Sequence, residues 1–201
     1  MGGAKRGQVA SGIPSRPEAL AILKAVGCPP EVIKHSERVA RVALRIAEAC
    51  RRAGLEVDMG LVEAGALLHD MGRAKTHSVA HAFLGAELAR ELGLGERLVR
   101  LIARHTGGVR PEVAERLGWP RGDYGPETLE EKIVAYADKL VRGPRVLPFE
   151  EALVRLEREL GPDHPAVVNL AKVHAELAPL LRPGGGGRGP CGRAREGVRA
   201  L

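Results

Sequence analysis

The stretch AGALLHDMGRAKTHSVAH, residues 64–81, puts two ionisable groups, His69 and Asp70, directly after an apolar run. Gly72, the cations Arg73 and Lys75, and the histidines His77 and His81 follow. A charged carboxylate at the end of such a run is costly unless it is paired or bound to a cation. Other imidazoles and carboxylates sit on apolar stripes of helical spacing. His35 falls between Val32 and Val39, His105 follows Leu98 and Ile102, and Asp138 lies between Val134 and Val141. His81 opens a segment whose inward stripe reads Leu84, Leu88, Leu92. Residues three or four apart share a helix face, so these groups point toward the interior of a bundle. Neutral histidines converging with two aspartates suit a divalent transition metal: Mn, Fe, Ni, Co or Zn. His69-Asp70 is then a ligand pair at the end of a rigid helix, with Gly72 letting the chain turn away.

The elements that must position these groups are helices. Ser15 with Glu18 three residues on is a capping box, with Pro17 in the first turn, and predicts a short helix to about Gly27. Further helices are predicted from Pro30 to about Ala53, Leu61 to Asp70, Val79 to about Leu92, and Glu96 to His105. Glycines at 54, 72, 93, 107 and 108 end them. Pro111 to Leu117 forms a short helix, and the Pro- and Gly-rich GWPRGDYGPE is a loop. Helices over Thr128 to about Arg142, Phe149 to Leu160 and Pro165 to Leu181 complete an all-α bundle. The domain is expected over 15–182, between a loose arm, 1–14, and a disordered Gly/Arg-rich tail, 183–201.

Composition agrees. A chain of 201 residues that is 44% hydrophobic can bury one sizeable core, built from aliphatic residues because aromatics are only 2%. The net charge of +6 sits in the ends: residues 1–16 and 183–201 each carry +3. No basic stripe therefore crosses the folded part, and RNA binding falls to the tails if it occurs at all. Cys28, Cys50 and Cys191 are odd in number and lack CxxC spacing, which argues against a disulfide framework or a thiolate zinc site. No apolar run resembles a signal peptide or approaches a membrane span, so a soluble cytoplasmic protein is expected. Asn169 and Gln8 are the only side-chain amides, a bias that suits a thermophile.

The order His35, His69-Asp70, Asp138 resembles that of the HD-domain superfamily of metal-dependent phosphohydrolases. HSERVARVALRIA is similar to its first ligand helix, LLHDMGR to its HD motif in a variant close to HDIG, and LEEKIVAYADKLV to its last ligand helix. His81 and His105, in HAFLGAELAREL and IARHTGG, resemble the subset with two metal ions, such as the bacterial symmetrical diadenosine tetraphosphate hydrolases. GDYGPETLEEKIVAYAD is similar to small archaeal HDIG proteins. The resemblance spans about 17–145. No GYP tripeptide follows the motif, so the cyclic-di-GMP phosphodiesterase branch is not supported.

The resemblance implies one or two metal ions. His35, His69, Asp70 and Asp138 would hold one, and Asp70 would bridge to a second held also by His81 and His105. His69 and Asp70, with Arg73 and Lys75 around the phosphate, form the implied catalytic set; Lys139 and Arg104 are weaker phosphate candidates. The substrate implied is a small phosphorylated molecule such as a nucleotide. His77 could share a face with His81 or simply be solvated, and Trp119 and Tyr124 could stack on a base or pack their loop. His164 and His174 read as ordinary surface or core histidines. Two other readings stay open: a non-catalytic metal- and nucleotide- or RNA-binding protein, and a di-iron oxygenase on the same fold.

Overall fold

The computed structural model describes residues 12–120, 122 and 124–181. Most of the expected arm and all of the expected tail, with Cys191, lie outside the described residues. The helices are α1 (Arg16–Ala25), α2 (Pro30–Arg52), α3 (Met59–Leu68), α4 (His81–Glu91), α5 (Glu96–Arg104), α6 (Pro111–Arg116), α7 (Leu129–Leu140), α8 (Phe149–Leu160) and α9 (Pro165–Leu181). A single 3-10 turn, Met71–Ala74, joins α3 toward α4.

Local chemistry sets the boundaries. The Glu18 carboxylate accepts from the Ser15 N–H at 2.8 Å and opens α1. Asp58 accepts from the Leu61 N–H at 3.0 Å and opens α3. At α7, Thr128 Oγ1 accepts from the Glu131 N–H while Glu131 accepts from the Thr128 N–H, a reciprocal capping box.

α3 is the centre of the bundle. Leu61, Val62, Ala64, Gly65, Ala66, Leu67 and Leu68 are all buried, and α1, α2, α5 and α7 pack around it. A helix packed on most sides is apolar on most sides rather than amphipathic, which is why the run before His69 looked uniformly apolar. Its one charged residue, Glu63, is half-buried and pairs with Arg16 at 3.1 Å. α5 closes on it where Gly65 leaves room for Leu101, whose methyls lie 2.6 Å from where a Cβ would stand. α2 lies along α3 and α7 through Val39, Ala40, Ala43, Ile46 and Ala47.

Three expectations change. Leu88 packs half-buried against the core as expected, but Leu84 is only half-buried and Leu92 is 49% exposed, so the expected stripe is not the main buried face of α4. Its buried face is Ala82, Gly85, Ala86 and Ala89. The reason is close approach. A Cβ on Gly72 would collide with the His81 carbonyl oxygen and lie 2.6 Å from the Gly85 nitrogen. Only small residues allow the turn after Asp70 to lie flat on α4. Second, α7 stops at Leu140 rather than Arg142. The chain is already extended at Val141; Val141–Arg142 (β1) pairs antiparallel with Arg145–Val146 (β2) across Gly143-Pro144, and φ of +54° at Gly143 makes that tight turn. Third, α3 ends at Leu68, so His69 is its capping residue and Asp70 stands before the 3-10 turn. Residues 12–14 of the expected arm lie against the body, with Gly12 O accepting from the Gly95 N–H at 2.7 Å.

Two predictions follow from this packing. Gly72→Ala forces α4 away from the 3-10 turn and costs about 1–3 kcal/mol, the usual price of overpacking, read as a lower thermal midpoint; an unchanged midpoint would show the contact to be slack. Cys28 is buried and donates to Met71 O at 3.5 Å. Burial pushes its thiol up to about 11, from roughly 8.5 in an exposed chain. A raised folded-state pKa stabilises below the unfolded value and is lost as pH rises through the folded one. The Cys28→Ala variant should therefore show less loss of stability between about pH 8.5 and 11 than the parent, measured by urea unfolding.

Candidate metal centre

Each of the six predicted ligands is delivered by a helix or its end. His35 stands on α2, His69 caps α3, Asp70 follows it, His81 starts α4, His105 caps α5 and Asp138 is on α7. The structure brings all six together. His69, Asp70, His81 and His105 are buried, while the side chains of Asp138 and His35 keep 15% and 24% exposure at the open edge.

Three histidines are oriented by one device. His69 Nδ1 donates to Ala66 O at 2.8 Å, His81 Nδ1 to Ser78 O at 2.7 Å and His105 Nδ1 to Ile102 O at 2.7 Å. A carbonyl can only accept, so each Nδ1 carries the proton. With Nδ1 carrying this proton, the lone pair each ring has to offer is on Nε2, which faces the interior. Those lone pairs converge. His81 Nε2 stands 3.0 Å from His105 Nε2 and 3.0 Å from Asp70 Oδ1. His105 Nε2 is 3.5 Å from the same oxygen. His69 Nε2 lies 3.4 Å from Asp138 Oδ1 and 3.7 Å from Asp70 Oδ2, yet is buried with no hydrogen-bond partner. His35 Nε2 meets Asp138 Oδ1 at 3.0 Å.

Two sets of ligand atoms, His35–His69–Asp70 and Asp70–His81–His105, each fall within 4.8 Å of one another. An orphaned buried imidazole nitrogen beside two lone pairs facing each other at hydrogen-bond distance is unfavourable alone. It becomes favourable around a cation, and the donor set of imidazole nitrogen and carboxylate oxygen fits a divalent transition metal. The residues can bind such an ion.

The electrostatics agree. Burial alone would raise the Asp70 carboxyl, but His69, His105 and His81 outweigh it and hold it far below the usual carboxylate range. Asp138 is also pulled up by burial and held low by Lys139, His35 and His69. Burial drops His105 to about 4, helped by the neighbouring His69 and His81. His69 goes the other way: burial pulls it down, but Asp70 and Asp138 raise it overall. The site thus holds ionised carboxylates beside a neutral His105.

The outer carboxylate oxygens are held by cations. Arg73 Nε donates to Asp70 Oδ2 at 2.7 Å, and Lys139 Nζ to Asp138 Oδ2 at 2.6 Å. Arg104 is taken up by Glu127 at 2.7 Å and Gly125 O at 3.3 Å. Lys75 is exposed at the end of the 3-10 turn. A mouth of about 300 Å³ opens onto the site, lined by Glu31, Val32, His35, Asp70, Arg73 and His77. Glu31 and Val32 were not singled out as functional in the sequence, although they stand one turn before His35 on α2. Trp119 is buried and Tyr124 half-buried in a small cluster with Phe83, away from this mouth. His164 and His174 lie outside the cluster, His174 Nδ1 sharing a hydrogen bond of 2.6 Å with the Tyr136 hydroxyl and its ring stacking on Phe149.

Residues 32–143 match the model of the HD domain family, and the chain belongs to that family. An uncharacterized protein of Methanocaldococcus jannaschii is 42% identical over 166 residues, covering 82% of this chain and 98% of the relative. The tRNA (cytidine(56)-2'-O)-methyltransferase of Picrophilus torridus is 40% identical over 175 residues, 87% of this chain, but the match spans only 49% of that enzyme. Among solved structures, the HD domain of the L. monocytogenes phosphodiesterase PgpH superposes with a TM-score of 0.50 at 16% identity, over 83% of this chain and 98% of that one. That likeness shows a shared fold. Among the described residues no helix is long and apolar enough to cross a membrane.

If the cluster binds a cation, Mn(II) at a hundred times its dissociation constant stabilises the fold by about 2.7 kcal/mol. A thermal melt with and without Mn(II) reads this directly. His69→Ala should lose most of the increment, and a parent midpoint insensitive to Mn, Fe, Co, Ni and Zn would contradict the site.

Proposed function

We propose that this chain is a metal-dependent phosphohydrolase that cleaves a nucleotide or another small phosphoester by attack of metal-activated water on phosphorus. The observation that carries the reading is the orphaned His69 Nε2, set beside the facing Nε2 atoms of His81 and His105 around Asp70. His35, His69, Asp70 and Asp138 would hold one divalent transition metal, and Asp70, His81 and His105 a second. Such ions supply a water of near-neutral pKa and charge stabilisation for phosphate oxygens.

The chain's own groups do the positioning. Arg73 fixes Asp70 through Oδ2, which leaves Oδ1 facing His81 and His105. Lys139 fixes Asp138 in the same way, leaving Oδ1 toward His35 and His69. Arg73 and His77 also line the mouth, so a guanidinium stands where an anionic substrate enters. Arg73 is thus both an anchor for Asp70 and the best-placed cation for phosphate; exposed Lys75 is the poorer candidate. Phosphoryl transfer asks mainly for positioning and electrostatic stabilisation, which this arrangement offers. A mouth of about 300 Å³ is at the small end of ligand sites and supports a small phosphoester. The relative named as a tRNA methyltransferase supports testing an RNA phosphodiester as well.

The test is hydrolysis of a panel by protein reconstituted with Mn, Fe, Ni or Co. The panel holds nucleoside mono- and triphosphates, cyclic nucleotides, dinucleoside polyphosphates, an oligoribonucleotide and a chromogenic phosphodiester. Turnover should fall by more than about a hundredfold in Asp70→Ala, and by about 10–100-fold in Arg73→Ala, the range for groups that orient ligands. Full activity in Asp70→Ala, or silence across the panel with metal bound, would overturn the reading.

A further inference from the structure

His81 and Phe83 stand two residues apart at the start of α4. Two residues turn a helix through about 200°, so the side chains leave on opposite faces. His81 reaches inward to Asp70 Oδ1. Phe83 reaches outward and stacks on Trp119, with ring centroids 5.3 Å apart and planes at 18°. Trp119 is itself met edge-on by Tyr124 at 5.1 Å, whose hydroxyl donates to Pro120 O at 2.6 Å. With Val109, Val113, Ala114 and Ala80 these rings form an apolar cluster separate from the main core.

That cluster grips the chain on both sides of one ligand. Ala80 precedes His81 and Phe83 follows it. The same turn supplies Ser78 O, which fixes the His81 ring. The other ligands depend on different packing: α2, α3, α5 and α7, which carry or end at His35, His69, His105 and Asp138, all contribute to the main core. α4 also reaches the main core, through Ala86 and Ala89, but the residues flanking His81, Ala80 and Phe83, pack on the minor core of Val109, Ala114 and Trp119. A small separate cluster opens more readily than a domain core.

We propose that Phe83, stacked on Trp119, is a positioning residue for His81, and that it governs occupancy of the Asp70–His81–His105 position more than that of the His35–His69–Asp70–Asp138 position, with which it shares Asp70. This rests on the two-ion reading above. The His81 position is the weaker of the two and fills second. Trp119 is the only tryptophan in the chain and therefore reports that filling.

The experiment is a Mn(II) titration of the full chain, counting bound ion by electron paramagnetic resonance while following tryptophan emission. Two equivalents should bind to the parent, with emission changing on the second alone. Phe83→Ala should keep the first equivalent and weaken the second by about tenfold or more, and Phe83→Tyr should restore it. Trp119→Phe should abolish the emission signal. Circular dichroism checks folding of each variant, and Phe83→Leu replaces the alanine variant if that one unfolds. Two equivalents with Phe83→Ala weakening both alike or neither, or emission following the first, overturn the inference while leaving the two-ion reading intact. A single equivalent in the parent overturns the two-ion reading and the inference with it.

Discussion

The centre depends on a hydrogen bond used three times: an imidazole Nδ1–H donated to the carbonyl three residues earlier. Ala66 O and Ile102 O lie in the last turns of α3 and α5, where carbonyls have no intrahelical partner. A histidine placed just past a helix end can take one of these carbonyls and is thereby fixed in tautomer and direction. Ser78 O does the same in the turn before α4. This explains why the apolar last turns of α3 should end in His-Asp. The helix end provides the acceptor, the buried helix provides rigidity, and the ring that results can only offer its lone pair inward. Outer hydrogen bonds of this kind are what orient histidine ligands in metal sites generally.

The carboxylates obey a complementary rule. Each is split between an inner oxygen facing imidazoles and an outer oxygen held by a cation close in sequence, Arg73 for Asp70 and Lys139 for Asp138. Burying two carboxylates without such partners would cost several kcal/mol each. The short 3-10 turn is essential to the first pair, because it folds Arg73 back over Asp70. That turn lies flat only because Gly72 and Gly85 bring it against α4. One glycine contact therefore serves both the ion pair and the approach of His81.

Much of this was legible in the sequence. The six converging positions could be read because a polar group on an apolar helical stripe has few reasons to be there, and helix boundaries followed from capping residues and glycines. The α4 stripe could not be read. Its leucines outweigh its alanines in any hydrophobic pattern, yet the face that packs is chosen by how closely the 3-10 turn approaches, which is a tertiary property. The β1–β2 pairing was hidden because Val141 and Arg142 continue the α7 pattern, and only the Gly143-Pro144 turn redirects them. Arg73 looked like a free phosphate cation, since its pairing with Asp70 depends on a turn that no periodicity reveals. Phe83 was passed over because its partner, Trp119, is 36 residues away along the chain.

Charge balance bears on which substrates the site favours. Asp70 and Asp138 are already matched by Arg73 and Lys139. His105 is held neutral by burial. The protein thus has little negative charge in reserve at the centre, and Glu31, the further carboxylate at the mouth, is solvent-exposed. A divalent cation bound among these groups leaves positive charge that the chain does not cancel. In a partly buried site that excess is strongly felt, and an anionic ligand is the natural way to offset it. A phosphate group meets this demand, as an anionic phosphonate would, whereas a neutral substrate does not.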